Sequence, residues 1–294
     1  MFTNMMLWKL AGLNTDELED LLDTKTFVPC STYQAQSLGW IIPLRGGETL
    51  TYSSLGHTLL TALIESKNVP AAAVKTELEK WVAEERAKGR NPSKTERTEA
   101  KNAINDEFLA RAIPVQKRVN VWIDMNAMLL GVDSSSTNTA ELVLGLLRDT
   151  LGSLDILPFS TDMDAQVLTS WTWGAPDAES VAPAPFELGT YAVLEGPASE
   201  KYTADKVELP NAHVDGLIEN GVEVAKLGLV WDEQVEFVLT AAFALNKIKF
   251  TETAELAKVT EIGEPDSLLD LDAGTFIFEA GTLAKLINNI KEVF

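Results

Sequence analysis

Three runs in the last third of the chain alternate apolar with polar residues, and little chain separates them. Residues 222–231, 235–239 and 244–250 are divided by gaps of three and four residues, the first gap holding Asp232-Glu233. Alternation at period two marks half-buried strands. Connections this short join antiparallel neighbours, because a parallel crossover takes a dozen residues or more. Whatever else the chain does, it must build an antiparallel meander near its end.

The rest of the sequence mixes strand and helix signals without strict alternation. Strands are expected at 5–10, at 38–43 (ended by Pro43), at 57–64 (an apolar run whose pattern also fits a buried helix), at 119–123 paired with 128–132 across Asp124, Asn126 and Ala127, and at 275–278. A helix capped by Asn14 or Thr15 carries Leu18, Leu21 and Leu22 on one face. Another starts at Val69-Pro70, with Val74, Leu78, Trp81 and Val82 as its stripe, and breaks at Gly89-Arg90-Asn91-Pro92. Ser93 with Glu96 forms a capping box for a third helix, reaching about Leu109. Residues 138–151 form a fourth, with Leu142, Leu146 and Leu147 inward and Gly152 as a left-handed cap. Short helices follow at 213–220, closed by Gly221, and at 281–290. Residues 160–190 are poorly periodic and read as a linker or variable insertion, with a strand at 167–171. The fold class is therefore α+β, with mixed or antiparallel sheets, packed helices and a projecting helical hairpin. Residues 1–294 read as a single unit with approximate subregions: an N-terminal α/β part at 1–69, a basic helical hairpin at 70–118, a strand-strand-helix part at 119–160, a variable linker or insertion at 161–200 and a C-terminal α+β part at 201–294.

Charge is the next constraint. The formal net charge is −20, which taken alone argues against a nucleic-acid partner. The sum conceals a segregation. From Arg86 to Arg118 nine cations face four acids, a local +5 that leaves −25 for the remainder. One face can thus hold phosphates while the acidic bulk keeps the molecule soluble. The cations are Arg86, Lys88, Arg90, Lys94, Arg97, Lys101, Arg111, Lys117 and Arg118. A helix with few apolar positions, such as 94–107, projects from a body or lines a partner surface.

Other classes are disfavoured. No apolar run reaches a membrane-spanning length, and the first ten residues lack the basic leader of a signal peptide. A single cysteine, Cys30, permits no intrachain disulfide and suits a cytoplasmic protein. Cys30 with His57 or His213 would make a nucleophile pair, but a buried apolar thiol is the plainer reading. Asp162 with Asp164, and Asp124 at a strand end, resemble nuclease carboxylates; among 44 acids such pairs arise by chance. Gly46-Gly47 lacks the Gly-Lys-Ser/Thr of a phosphate loop. No cofactor or catalytic residue is expected. Most tryptophans sit in apolar contexts and read as core, with Trp171 and Trp173 in the variable segment.

A collinear set of short segments spans nearly the whole chain. It comprises Phe2-Thr3-Asn4-Met5-Met6, Phe27-Val28-Pro29-Cys30, Gly39-Trp40 with Pro43, Arg111-Ala112, Trp122-Ile123-Asp124, Leu146-Leu147-Arg148 through Leu151-Gly152-Ser153-Leu154 with Pro158, Ile218-Glu219-Asn220-Gly221, Lys226 through Trp231 and Lys247-Ile248-Lys249-Phe250. In this order the segments resemble the recombination-associated RdgC family, in a bacterial or bacteriophage member. The resemblance implies a homodimer joined head to head and tail to tail into a ring. Duplex DNA, and more weakly single-stranded DNA, would pass through its positively lined hole without sequence readout. It further implies a nucleoid-associated role in recombination and replication-fork repair, partly by limiting access of the RecA recombinase. Lys206 joins the nine cations as a DNA-contacting candidate on this ground. Two departures stand out: Ile113 occupies a position where the family carries an aromatic, and of the family's basic stretch before residue 213 only Lys206 clearly keeps its charge. Two rival readings are an acidic DNA mimic that binds a protein, and the metal-dependent exonuclease that some labels for the family suggest.

Overall fold

The computed structural model describes residues 1–13, 17–159, 165–173 and 182–293. In chain order its elements are β1 (Met5–Leu10), α1 (Leu18–Asp23), β2 (Gln36–Ile41), β3 (Thr51–Ser54), β4 (His57–Lys67), α2 (Ala71–Ala87), α3 (Lys94–Arg111), β5 (Pro114–Asp124), β6 (Leu129–Val132), α4 (Thr137–Leu151), β7 (Ile156–Pro158) and α5 (Ala165–Thr172). Then come β8 (Phe186–Glu195), β9 (Lys201–Asp205), α6 (Ala212–Glu219), β10 (Glu223–Trp231), β11 (Val235–Thr240), β12 (Ala244–Phe250), α7 (Glu252–Ile262) and α8 (Leu268–Val293). The architecture is α+β, as expected.

The meander forms as the short gaps require: β10, β11 and β12 pair in antiparallel succession. Asp232 and Glu233 turn the chain between the first two, both with positive φ. The meander belongs to one antiparallel sheet in the order β2-β4-β5-β6-β1-β12-β11-β10-β8-β9, with β3 beside β4 and β7 beside β1. β1, the first strand in the chain, is the seam between halves, pairing β6 on one side and β12 on the other.

Each half is closed by helices chosen by where its apolar side chains point. One core takes Met5, Leu59 and Trp122 together with Leu227, Leu229, Phe237 and Leu245, and covers them with α5, α6 and above all α8. The opposite face of the N-terminal half, with Leu60, Val119, Val121 and Val132, is covered by α1 and α4. The Trp40 indole N–H donates to the Thr150 hydroxyl at 2.9 Å, tying β2 to α4 inside this second core. α2 and α3 pack chiefly on each other. Their most buried apolar residues, Val74 and Leu109, belong to neither core.

Several local expectations change. Residues 275–278, Thr-Phe-Ile-Phe, lie inside α8 and not in a strand. Four β-favouring residues in a row mimic a strand, but Phe276, Ala280, Leu283, Ile287 and Ile290 recur at helical spacing and all are fully buried. Residues 167–171 are likewise helical, within α5, where Leu168, Trp171 and Thr172 share the buried side. β5 begins at Pro114, five residues earlier than its apolar run, because its first half pairs β4 although its side chains are exposed. Leu142 faces out of α4; Val143, Leu144, Leu146 and Leu147 are the buried set. The proposed caps Asn14 and Thr15 fall outside the described residues; the residue that precedes α1, Glu17, makes no side-chain cap.

Candidate nucleic-acid interface

The basic segment folds so that some of its cations are consumed locally. α2 ends at Ala87, Gly89 turns the chain at φ +80°, and Ser93 starts α3. The near-buried Glu85 collects the Lys88 ammonium at 2.9 Å and the Arg90 guanidinium at 2.8 Å. Arg90 also donates to Glu96 at 2.6 Å. Glu96 closes the expected capping box by accepting the Ser93 N–H at 2.8 Å. That bond, with Arg90 beside it, holds the Glu96 carboxyl below the usual range. Arg111 pairs with Glu107 at 2.8 Å, one turn away. Arg97 is half-buried and donates to the Pro92 carbonyl at 3.1 Å, lining with Arg86 a cleft between the two helices. Arg86, Lys94 and Lys101 are exposed and make no ion pair among the described residues.

β5 carries the next two candidates directly after α3. Because successive strand residues point to opposite faces, Lys117 lies on the α1/α4 side, exposed beyond the helices' cover, and Arg118 on the α8 side. Arg118 donates to the Pro43 carbonyl at 3.1 Å. It adds its field to Asp272 of α8, whose carboxyl is already held below the usual range by the Arg45 guanidinium at 2.6 and 2.9 Å. Lys206 stands apart. It follows β9 at the far edge of the sheet, seven strand spacings from β5, or roughly 34 Å. The structure thus groups nine candidates around α2, α3 and the start of β5, and separates the tenth.

A second set of lysines lies outside the basic segment. In the C-terminal half, the sheet face opposite the α8 core has no helix over it among the described residues, and a shallow groove there is lined by strand residues alone. The registers place Lys226, Tyr191, Lys247 and Lys249 on this face. Through β1 and β6 it continues the side on which Lys117 lies. Lys247 covers the Tyr191 ring at 3.8 Å. Lys249 pairs with Glu236 at 3.4 Å, while Lys226 has no acidic partner among the described residues. The signal was present in the sequence, as lysines alternating with core residues along strands; their sharing of one face is a property of the register.

The family model described as "Putative exonuclease, RdgC" matches residues 1–294. The chain is 31% identical over 301 residues to the recombination-associated protein RdgC of Proteus mirabilis strain HI4320, covering 99% of this chain and 97% of the relative. It is also 31% identical to the RdgC proteins of Enterobacter sp. strain 638 and of Mannheimia succiniciproducens, over 99% and 100% of its length, covering 96% and 97% of those relatives. This chain belongs to the RdgC family.

In this member of the family Asp124, His57 and Cys30 have structural partners. Asp124 is buried at the end of β5, and its carboxylate accepts the N–H groups of Asn126 and Ala127, shaping the turn into β6. His57 is buried and accepts the Trp122 indole N–H at 3.3 Å. The Cys30 N–H is bound by Glu65, eight residues along β4 from His57 and so about 26 Å from it. Cys30 and His57 form no pair. Burial and the Glu65 carboxylate beside it push the Cys30 thiol pKa up, away from a nucleophile's requirement. Asp162 and Asp164 lie outside the described residues; among the described ones no three His, Cys, Asp or Glu residues cluster to hold a metal. No described helix is long and apolar enough to cross a membrane. Ile113 is 84% exposed in the connection from α3 to β5.

Proposed function

We propose that this RdgC-family protein binds duplex DNA through its phosphates, without reading sequence, and acts in recombination and replication-fork repair. The observation that carries the reading is the exposed set Arg86, Lys94, Lys101 and Lys117, which makes no ion pair among the described residues, in a chain whose remainder outside residues 86–118 carries a net charge of −25. Lys and Arg at such positions contact phosphate oxygens and release counterions. No base-reading element is required. In this reading α2 and α3 project as a hairpin from the sheet, and two copies close into a ring whose bore joins that hairpin to the lysine-bearing uncovered face. Lys206, across the sheet, contacts the far side of the duplex. An acidic exterior around a basic bore reconciles a net charge of −20 with a polyanionic partner. Coating duplex DNA limits access of the RecA recombinase, and the protein works at the nucleoid of a cytoplasm without a cofactor.

The test is a gel shift of end-labelled linear duplex across a salt series, with and without Mg²⁺. With five to eight phosphates neutralised, log affinity should fall against log salt with a slope of about −5 to −7, and single strands should bind more weakly. No shift at low salt would favour the acidic mimic, and Mg²⁺-dependent loss of the end label would favour the exonuclease.

A further inference from the structure

α4 carries a glycine that its own packing does not require. Gly145 sits mid-helix, where glycine is worse than alanine, and a Cβ built there would meet nothing within 4 Å. It forms the floor of a groove of about 730 Å³ between α4 and β2. Leu38 of β2 and Leu142 of α4 are the apolar walls, and Leu142 is 39% exposed. Glu141 and Asp149 flank Gly145 on the same helix, eight residues and roughly 12 Å apart. Both are exposed, and neither has an ion-pair or hydrogen-bond partner among the described residues; Lys25 is the single cation of the lining.

We propose that this groove seats an amphipathic helix of a partner protein, apolar toward Leu38 and Leu142, with two Lys or Arg about 12 Å apart that reach Glu141 and Asp149. The missing side chain at Gly145 lets the partner backbone come close at the centre, between the two charge contacts. Charge chooses the occupant: two unpartnered carboxylates at this spacing attract a basic helix and repel nucleic acid.

The experiment uses the full chain and a stapled, fluorescein-labelled peptide of about 18 residues, long enough to hold a helix. It carries a leucine face with two lysines two turns apart, and a control peptide replaces both lysines by glutamate. Anisotropy should show saturable binding of the basic peptide and at least tenfold weaker binding of the control. Gly145→Gln and the pair Glu141→Gln/Asp149→Asn should each weaken binding at least tenfold. Gly145→Ala should weaken it less while raising the melting temperature, which separates a filled groove from a damaged fold. All variants should shift duplex DNA as the parent does, so failure here is distinct from failure of the DNA-binding proposal. The proposal is overturned if the basic peptide does not bind, if both peptides bind alike, or if Gly145→Gln binds as well as the parent. It is also overturned if Gly145→Gln lowers the sedimentation mass of the protein, because the groove would then belong to a second copy.

Discussion

The Arg90 guanidinium lies 2.8 Å from the near-buried Glu85 carboxylate. A residue that the sequence places among the DNA-contacting candidates thus neutralises an acid buried in the last turn of α2. Burying a carboxylate is tolerable only with such partners, so Arg90 stabilises the helix pair before it can serve any phosphate. The same holds for Lys88, bound to Glu85 as well.

Arg90→Ala should therefore cost about 1 kcal/mol in urea unfolding, the figure being modest because the guanidinium is largely exposed and Lys88 remains. The slope of DNA affinity against salt should change little.

Lys94→Ala and Lys101→Ala should behave in the opposite way. Neither lysine has an ion pair among the described residues, so unfolding should move by less than about 0.5 kcal/mol. Each change should weaken DNA binding uniformly across sequences and reduce the salt slope by about one, as read by gel shift.

The two glycines of the α4 region should respond with opposite signs. Gly145→Ala gains helix propensity in open space and should stabilise by up to about 1 kcal/mol. Gly152 ends α4 at φ +76°, a conformation that costs an L side chain, so Gly152→Ala should destabilise by about 1 kcal/mol. Thermal melts of both variants check the pair.

Asp272 links stability to pH. Its folded pKa is below its unfolded one, first because of the Arg45 hydrogen bond, so its contribution is present above the unfolded value and lost as pH falls through the folded one. Asp272→Asn should be less stable than the parent at pH 7, and the difference should close as pH is taken below about 4. Raising the salt at pH 7 should narrow it as well, because Arg45 is exposed.

Where a local rule dictates geometry, the sequence could be read closely. Ser93 with Glu96 made the capping box, Gly152 took the left-handed conformation, and β12 runs from Ala244 to Phe250 as its alternation indicates. Sequence and structure part where a short window supports two periods. Thr275 to Phe278 suits a strand over four residues and a helix over fifteen, and burial against the sheet chose the helix. Leu142 stands one turn before Leu146 and so reads as inward by spacing, yet the buried side of α4 runs through Ala140, Val143, Leu144 and Leu147 and leaves Leu142 at its margin, 39% exposed. Within the basic segment the cations are legible in the sequence, but not that Glu85 claims two of them while Lys94 and Lys101 have no ion pair among the described residues.

By itself the sequence determined an antiparallel meander, the helix boundaries set by caps and glycines, and a +5 segment inside a −25 remainder, because each follows from neighbours within a few residues. The tertiary structure alone decided that β1 joins two half-sheets into one, that Lys226 and Lys247 share a sheet face with no helix over it among the described residues, that Lys206 lies far from the start of β5, and that Gly145 opens a groove. Those relations depend on strand order and register, which are set by which faces must be buried against which helices. That choice is made by the whole chain at once.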